Sequence, residues 1–357
     1  MPDVEITIQH SAALFYAAAA SNRPLVQSIE FANYGPELTG LTLSVSVLSL
    51  GAKISHEWSQ PVDFLKSGSS LVQSVDLKFD IDALYQILDK QPGRIEVQLT
   101  ESVQTIASAT SELTVLSANS WVMEKPLSLY AGTLAAFVQP NHPSLRPVLD
   151  AASNKLKAAG LDPSLSGYQG DHSHISGMVK AIYESMQDLE LTYSNPPASW
   201  DIKYSEGGQK IRTPEEVLQD RVGTCLDTAT TFAALLENVG LQPVVVLIPG
   251  HAFVGYWTKA ALEGFDVFRE PVISMRAFMN YMDKNLVEVV ETTEICRSSE
   301  ARTSYLDARA HAKARVGSSE LVLSGDDEGQ MLSVVTARCV PGNPVLPLPA
   351  RIKRPDG

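Results

Sequence analysis

The sequence predicts an α+β protein in two parts: an N-terminal β-sandwich, then a domain built on one helix packed against an antiparallel sheet. Three observations carry that prediction. Residues 1–118 are dominated by period-two alternation of apolar and polar residues, the mark of strands with one face buried and one wet. Beyond residue 119 the apolar spacing becomes helical. Within this second part, a helix with an apolar stripe leads into a continuous apolar run and then an alternating strand.

Taken in order, Val4, Ile6 and Ile8 alternate with polar residues, as do Leu41, Leu43, Val45 and Val47. The pattern returns at Val75, Leu77, Phe79 and Ile81, at Ile95, Val97 and Leu99, and at Leu113 and Val115. Strands separated by Gly, Pro, Asn and Ser in this way predict an antiparallel sandwich of immunoglobulin-like kind over residues 1–118. Ser11–Ala20 reads as a short helix or buried crossing, and Ile81–Leu88 as a helical turn between strands. The domain boundary falls near Ala118–Pro126. Pro143–Gly160 carries Leu145, Val148, Leu149, Ala152 and Leu156 at helical spacing, with Gly160 as C-cap. Ile175–Leu189 is a second amphipathic helix, followed by a Pro-, Tyr- and Trp-containing loop, Leu191–Trp200. The second domain is expected over 119–345, with 346–357 as a C-terminal tail.

Composition narrows the function classes. The chain has 357 residues, 44% hydrophobic and 19% charged, as in an ordinary globular protein. No apolar run approaches the roughly 20 residues of a membrane span, and the acidic start argues against a secretory signal. A net charge of −13 argues against an extended nucleic-acid surface. Arg297, Arg302, Arg309, Lys313 and Arg315 form one basic stretch, read as a solvated helix face. Cys225, Cys296 and Cys339 lie far apart without C-x-x-C spacing, which implies neither a disulfide framework nor a metal site. No cofactor or metal is expected, and the cytoplasm is the expected compartment.

The chemistry concentrates at Arg221-Val222-Gly223-Thr224-Cys225-Leu226-Asp227. Thr224 is the expected N-cap of a helix whose stripe is Leu226, Ala229, Ala233 and Leu236. Cys225 falls in the first turn, where free N–H groups and the helix dipole stabilise a thiolate, the nucleophilic form. Its own N–H can line an oxyanion hole, and Gly223 gives a substrate carbonyl room to approach. Pro243–Ile248 reads as a buried strand and Pro249-Gly250 as a turn. His251-Ala252-Phe253-Val254-Gly255-Tyr256-Trp257 returns as an alternating strand. That register makes His251 a candidate base, with Trp257 on the same face as a candidate groove wall. Glu288 and Glu291 are candidates to orient the imidazole, and their spacing allows only one to face it. Asp227 points away from the nucleophile and reads as a cap or a partner of Arg221 or Arg212. His172 and His174 read as surface residues.

The stretch RVGTCLDTATTFAALLENVGLQPVVVLIPGHAFVGYW resembles the core of the transglutaminase-like branch of the papain-like superfamily. There a Cys begins the central helix, a His lies on the second following strand, and an acid ends the third. VVETTEI resembles the acid segment, with Glu291 where Asp is more usual. The resemblance implies catalytic roles for Cys225, His251 and Glu291, and Gln209 in GGQK as an oxyanion donor by analogy with papain-like enzymes. LAAFVQPNHP, GYQ, GQKIRTPEEVL, GHAFVGYW and VLPLP also resemble the N-terminal part of large bacterial helicase–nuclease proteins of anti-phage and anti-plasmid defence. The expected function is therefore a cysteine hydrolase, a peptidase or amidase, acting through a thioester on a protein or peptide. A helicase or nuclease partner chain is implied, with no direct nucleic-acid binding. The alternative is a catalytically inactive adaptor serving such an effector.

Overall fold

The computed structural model describes residues 3–123, 130–195, 208–248, 250–264, 275–297, 302–322, 333–336 and 345–350. Pro249, Cys339 and residues 196–200 of the expected aromatic loop lie outside these. The chain divides into two compact units, Met1–Glu124 with Ile202–Lys210, and Lys125–Asp201 with Ile211–Gly357. Among the described residues, no helix is long and apolar enough to cross a membrane.

The first unit consists mainly of two sheets. Strands β1 (Val4–His10), β3 (Val26–Asn33) and β7 (Ser70–Gln73) form one, in the order β1-β3-β7. The other runs β2 (Ala13–Leu14), β9 (Gln104–Val115), β8 (Gln91–Glu101), β4 (Leu38–Ser49) and β5 (Ala52–Lys53), with β6 (Trp58–Leu65) also paired to β4. Register explains the alternation. Leu43 pairs with Leu99, Val45 with Val97 and Val47 with Ile95, and all six are buried. Each such side chain contributes about 1.5–3 kcal/mol by burial. The expected strand at 75–81 is absent. Val75 and Phe79 are buried, yet the segment keeps only the bridge Ser55–Phe79 before Asp80 caps α2 (Ile81–Tyr85). Alternation there reports burial without a ladder. Helix α1 (Tyr16–Ala20) is a buried crossing, and β10 (Ser120–Trp121) pairs with β12 (Gln209–Lys210).

The second unit carries the helical signals. A 3₁₀ turn at Pro143–Leu145 opens α3 (Arg146–Ala158), and α4 (His172–Gln187) packs against it. Next come β11 (Thr192–Tyr193), α5 (Pro214–Asp220), β13 (Val222–Gly223) and α6 (Cys225–Asn238). An antiparallel four-stranded sheet follows, ordered β16 (Val287–Val290), β15 (His251–Trp257), β14 (Pro243–Ile248), β17 (Ser333–Thr336). Helix α6 packs on β14 and β15. Side chains from α8 (Met275–Asp283) and α9 (Tyr305–Val322), among them Phe278, Ala312 and Val316, join a core cluster with Val244, Val246, Phe253 and Val289. Every residue of β14 is buried, which accounts for its unbroken apolar run. The short α7 (Lys259–Gly264) follows β15.

Several motif residues hold this scaffold together. Tyr168 donates to the Trp257 carbonyl at 2.6 Å and accepts from the Gln242 N–H at 3.0 Å, joining the two ends of the β14–β15 hairpin. Gly167 beside it has φ +56°, and a Cβ there would lie 2.7 Å from the Val239 carbonyl oxygen. Within the expected tail, Leu348 is buried, donates to the Ala136 carbonyl and accepts from Gln139.

Candidate active site

Cys225 is the first residue of α6, and its approach is tightly built. Thr224 caps the helix by accepting from the Asp227 N–H at 3.2 Å, while the Asp227 carboxylate accepts from the Thr224 N–H at 2.9 Å. The same carboxylate accepts from the Arg212 N–H at 2.7 Å and from its guanidinium at 2.8 Å. Asp227 is completely buried. Its work is to hold the turn on which the thiol sits. Just before that turn, β13 pairs in parallel with β11, so Tyr193 lies opposite Gly223. From there Tyr193 lies close enough to Cys225 to feel its charge; burial first, and Cys225 second, push the phenol up to about 12.

His251 begins β15, and its imidazole stands between two partners. Nε2 donates to Glu291 Oε2 at 2.8 Å, and the ring lies close enough to Cys225 for the thiol to favour its charged form. Burial opposes a charge on this ring. The hydrogen bonds and electrostatic attraction of Cys225 and Glu291 outweigh it and raise His251 from 6.5 to about 9.

Glu291 follows the last residue of β16 and caps a 3₁₀ turn at Thr292–Ile295. Its side chain is fully buried. Oε1 accepts from the Thr293 N–H at 3.1 Å and hydroxyl at 2.8 Å, and Oε2 also meets Arg315 Nε at 2.7 Å. Burial works against this carboxylate, but bonds from His251 and Thr293 hold it below its ordinary 4.5.

The other acid candidate faces elsewhere. Glu288 lies opposite Tyr256 in the β15–β16 register and accepts from its hydroxyl. It also pairs with Arg309 at 3.0 Å. Cys225, His251 and Glu291 are thus brought together, and Glu288 is not among them. Gln209 lies on β12 in the first unit, beside Trp121 in register.

Two groove expectations are corrected. Trp257 is 1% exposed and belongs to the core cluster, with its ring edge-on to Tyr281; the strand face that begins at His251 dives under α8 and α9. Gly223 is buried, and a Cβ there would meet Asp227 and Thr228 at 3.3 Å. Its missing side chain makes room for the first turn of α6, not for a ligand. The basic stretch is also not a freely solvated face: Arg302 pairs with Asp188, Arg309 with Glu288 and Arg315 with Glu291.

An open cleft of about 670 Å³ adjoins His251, with Tyr193, Thr293, Cys296, Arg297 and Arg315 on its walls. Burial, then the Asp227 charge, push the Cys296 thiol up to about 12. Tyr193 and Arg315 were not candidates from sequence. Tyr193 sits in a two-residue strand with no periodic signature. Arg315 had a signal: Ala308, Ala312 and Val316 are buried at helical spacing, and an arginine next to that stripe calls for a buried acid.

Residues 173–262 match the model of a family described as transglutaminase-like domain. The span runs from α4 to α7 and contains Cys225 and His251; Glu291 lies beyond it. No curated protein matches the chain. Among solved structures, an Arabidopsis thaliana protein solved in solution is 12% identical over 31% of this chain and 77% of its own, with TM-score 0.21. A putative beta-galactosidase from Bacteroides fragilis is 11% identical over 52% of this chain and 31% of its own, with TM-score 0.20. The Bacillus subtilis sporulation control protein Spo0M is 12% identical over 43% and 55%, with TM-score 0.18. The chain therefore spans less than two thirds of the latter two, and similarity at this level carries no argument about fold or function.

Proposed function

We propose that the chain is a cysteine-dependent hydrolase of protein or peptide amides, with Cys225 as nucleophile, His251 as base and Glu291 as the acid that orients the imidazole. One observation carries the reading. His251, raised to about 9 by Cys225 and Glu291, bonds the buried Glu291 carboxylate at 2.8 Å, close to the helix-start thiol and beside an open cleft. The match of residues 173–262 to a transglutaminase-like domain supports it.

The chemistry follows from the relay. The Cys225 thiolate attacks the amide carbonyl, and the oxyanion meets the N–H groups at the start of α6. His251 gives its proton to the departing amine, leaving a thioester on Cys225. Neutral His251 then takes a proton from water, which attacks the thioester and frees the acid. Glu291 stays ionised throughout and keeps Nε2 protonated, so Nδ1 is the nitrogen that exchanges protons. An amine in place of water turns the same thioester into a cross-link.

Labelling with a thiol-directed electrophile at pH 7 tests this. Cys225 is expected to react at least tenfold faster than Cys296, and Cys225→Ala to abolish both labelling and amide cleavage. Equal rates at the two cysteines, or full biological activity in folded Cys225→Ala, would remove the hydrolase reading in favour of a binding module.

A further inference from the structure

Glu291 Oε2 serves two cations at once, since His251 Nε2 lies at 2.8 Å and Arg315 Nε at 2.7 Å. We propose that Arg315 is a positioning residue of the site: from α9 it holds Glu291 and takes a share of its charge, so that His251 can release its proton during turnover. This rests on the reading of Glu291 as the acid beside His251.

The arrangement is built into how α9 packs. Ala308, Ala312 and Val316 bury one stripe of the helix, and the Ala308 carbonyl accepts from the Glu291 N–H at 3.1 Å. Arg315 lies seven residues from Ala308, two helical turns on the same side. Its guanidinium therefore arrives at the carboxylate while its own surface remains 46% open to solvent. Helix α9 also meets the same 3₁₀ turn through His311, whose Nδ1 lies 2.6 Å from Glu294.

The need for a second cation comes from the burial of Glu291. A carboxylate with no exposed surface demands a compensating charge. If His251 were the only cation, neutralising it would strand that charge, and the imidazole would hold its proton too firmly to act as a base. A guanidinium stays charged at any working pH, so Glu291 keeps a counterion in both states of His251. Cys225 from α6 also faces His251, and Tyr193 from β11 lines the same cleft. Glu294, Cys296, Arg297 and Arg302 reach the same cleft from the segment after β16, and Glu190 from the end of α4. Of the described cations, Arg315 is the one in contact with the Glu291 carboxylate besides His251.

The test is the titration of His251 by NMR in the full-length chain, with His251→Gln to assign its signal. Arg315→Gln is expected to raise the proton affinity of His251 about tenfold above that of the native protein, and Arg315→Lys, which keeps the charge, to restore most of the difference. Arg315→Ala, a strong helix former at a half-exposed position, repeats the measurement should the Gln variant not fold. An unchanged titration in a folded, uncharged variant overturns the proposal, as does an equal rise in the Lys and Gln variants. Alkylation of Cys225 is followed in the same samples. Slow native alkylation with a moving titration would sink the hydrolase reading and leave the Arg315 inference standing; fast alkylation with a static titration would do the reverse.

Discussion

Glu291→Gln tests the geometry of the relay most directly. The native carboxylate is fully buried and receives Thr293 on Oε1 and His251 with Arg315 on Oε2. A glutamine of the same shape offers one oxygen and one NH₂. Its oxygen can face His251 and Arg315 only if the NH₂ turns to Thr293. The Thr293 hydroxyl can rotate to accept, but its N–H cannot, so a buried donor is stranded at about 1–3 kcal/mol. The larger effect is on His251. Its rise from 6.5 to about 9 is worth about 3 kcal/mol, shared between Cys225 and Glu291. If Glu291 supplies about half, losing its charge lowers His251's proton affinity roughly tenfold. The imidazolium then begins to lose its proton about one pH unit lower, near 8. Short iodoacetamide pulses from pH 5 to 10, read by peptide mass spectrometry, measure this directly. Cys296, held at about 12, supplies a slow internal reference. The inflection in the Cys225 labelling profile that reports His251 should move down by about one pH unit in the variant, with the difference falling near pH 8–9. An unchanged rate and profile in folded protein would mean that the 2.8 Å contact does not govern the imidazole.

Two further outcomes follow from the same contacts. Because the folded protein raises His251, the associated stabilisation, at most about 3 kcal/mol, is fully present below about pH 6.5 and is lost as pH rises through about 9. Thermal melts should therefore fall across that window, and a His251→Gln variant should lose this component of the slope; an identical slope in the variant would assign it elsewhere. Asp227→Ala strips the cap of α6 and leaves Arg212 and the Thr224 N–H without their acceptor. Urea unfolding should register a loss of about 2–4 kcal/mol, and a loss below 1 kcal/mol would show that the turn is held by packing alone.

What could be read in the sequence divides along a physical line. Cys225, His251 and Glu291 each sit at the end of a regular element, where caps, turns and periodicity change within a few residues. Their places were legible because local rules set them. Asp227 was equally legible as a cap, since a side chain three residues beyond Thr224 reaches back to it. The segment at 75–81 misled because burial alternates there without a partner strand, and Trp257 because strand parity says which residues share a face but not what covers it. Tyr193 and Arg315 arrive from 32 residues before and 90 residues after Cys225. Only tertiary packing brings them in, and no local pattern encodes that.

The two buried carboxylates do opposite jobs with the same means. Asp227 receives Arg212 and Thr224 and never touches the relay, so its charge is spent on fixing where the thiol stands. Glu291 receives Thr293 and Arg315 but leaves part of Oε2 for His251, so its charge remains available to chemistry. In each case an arginine from a separate segment neutralises the carboxylate, and a threonine next to the carboxylate or at the helix cap sets its angle. A buried acid so satisfied cannot swing toward a substrate. The mobile partner in the relay is therefore the proton on His251, and the groups around it determine how readily that proton leaves.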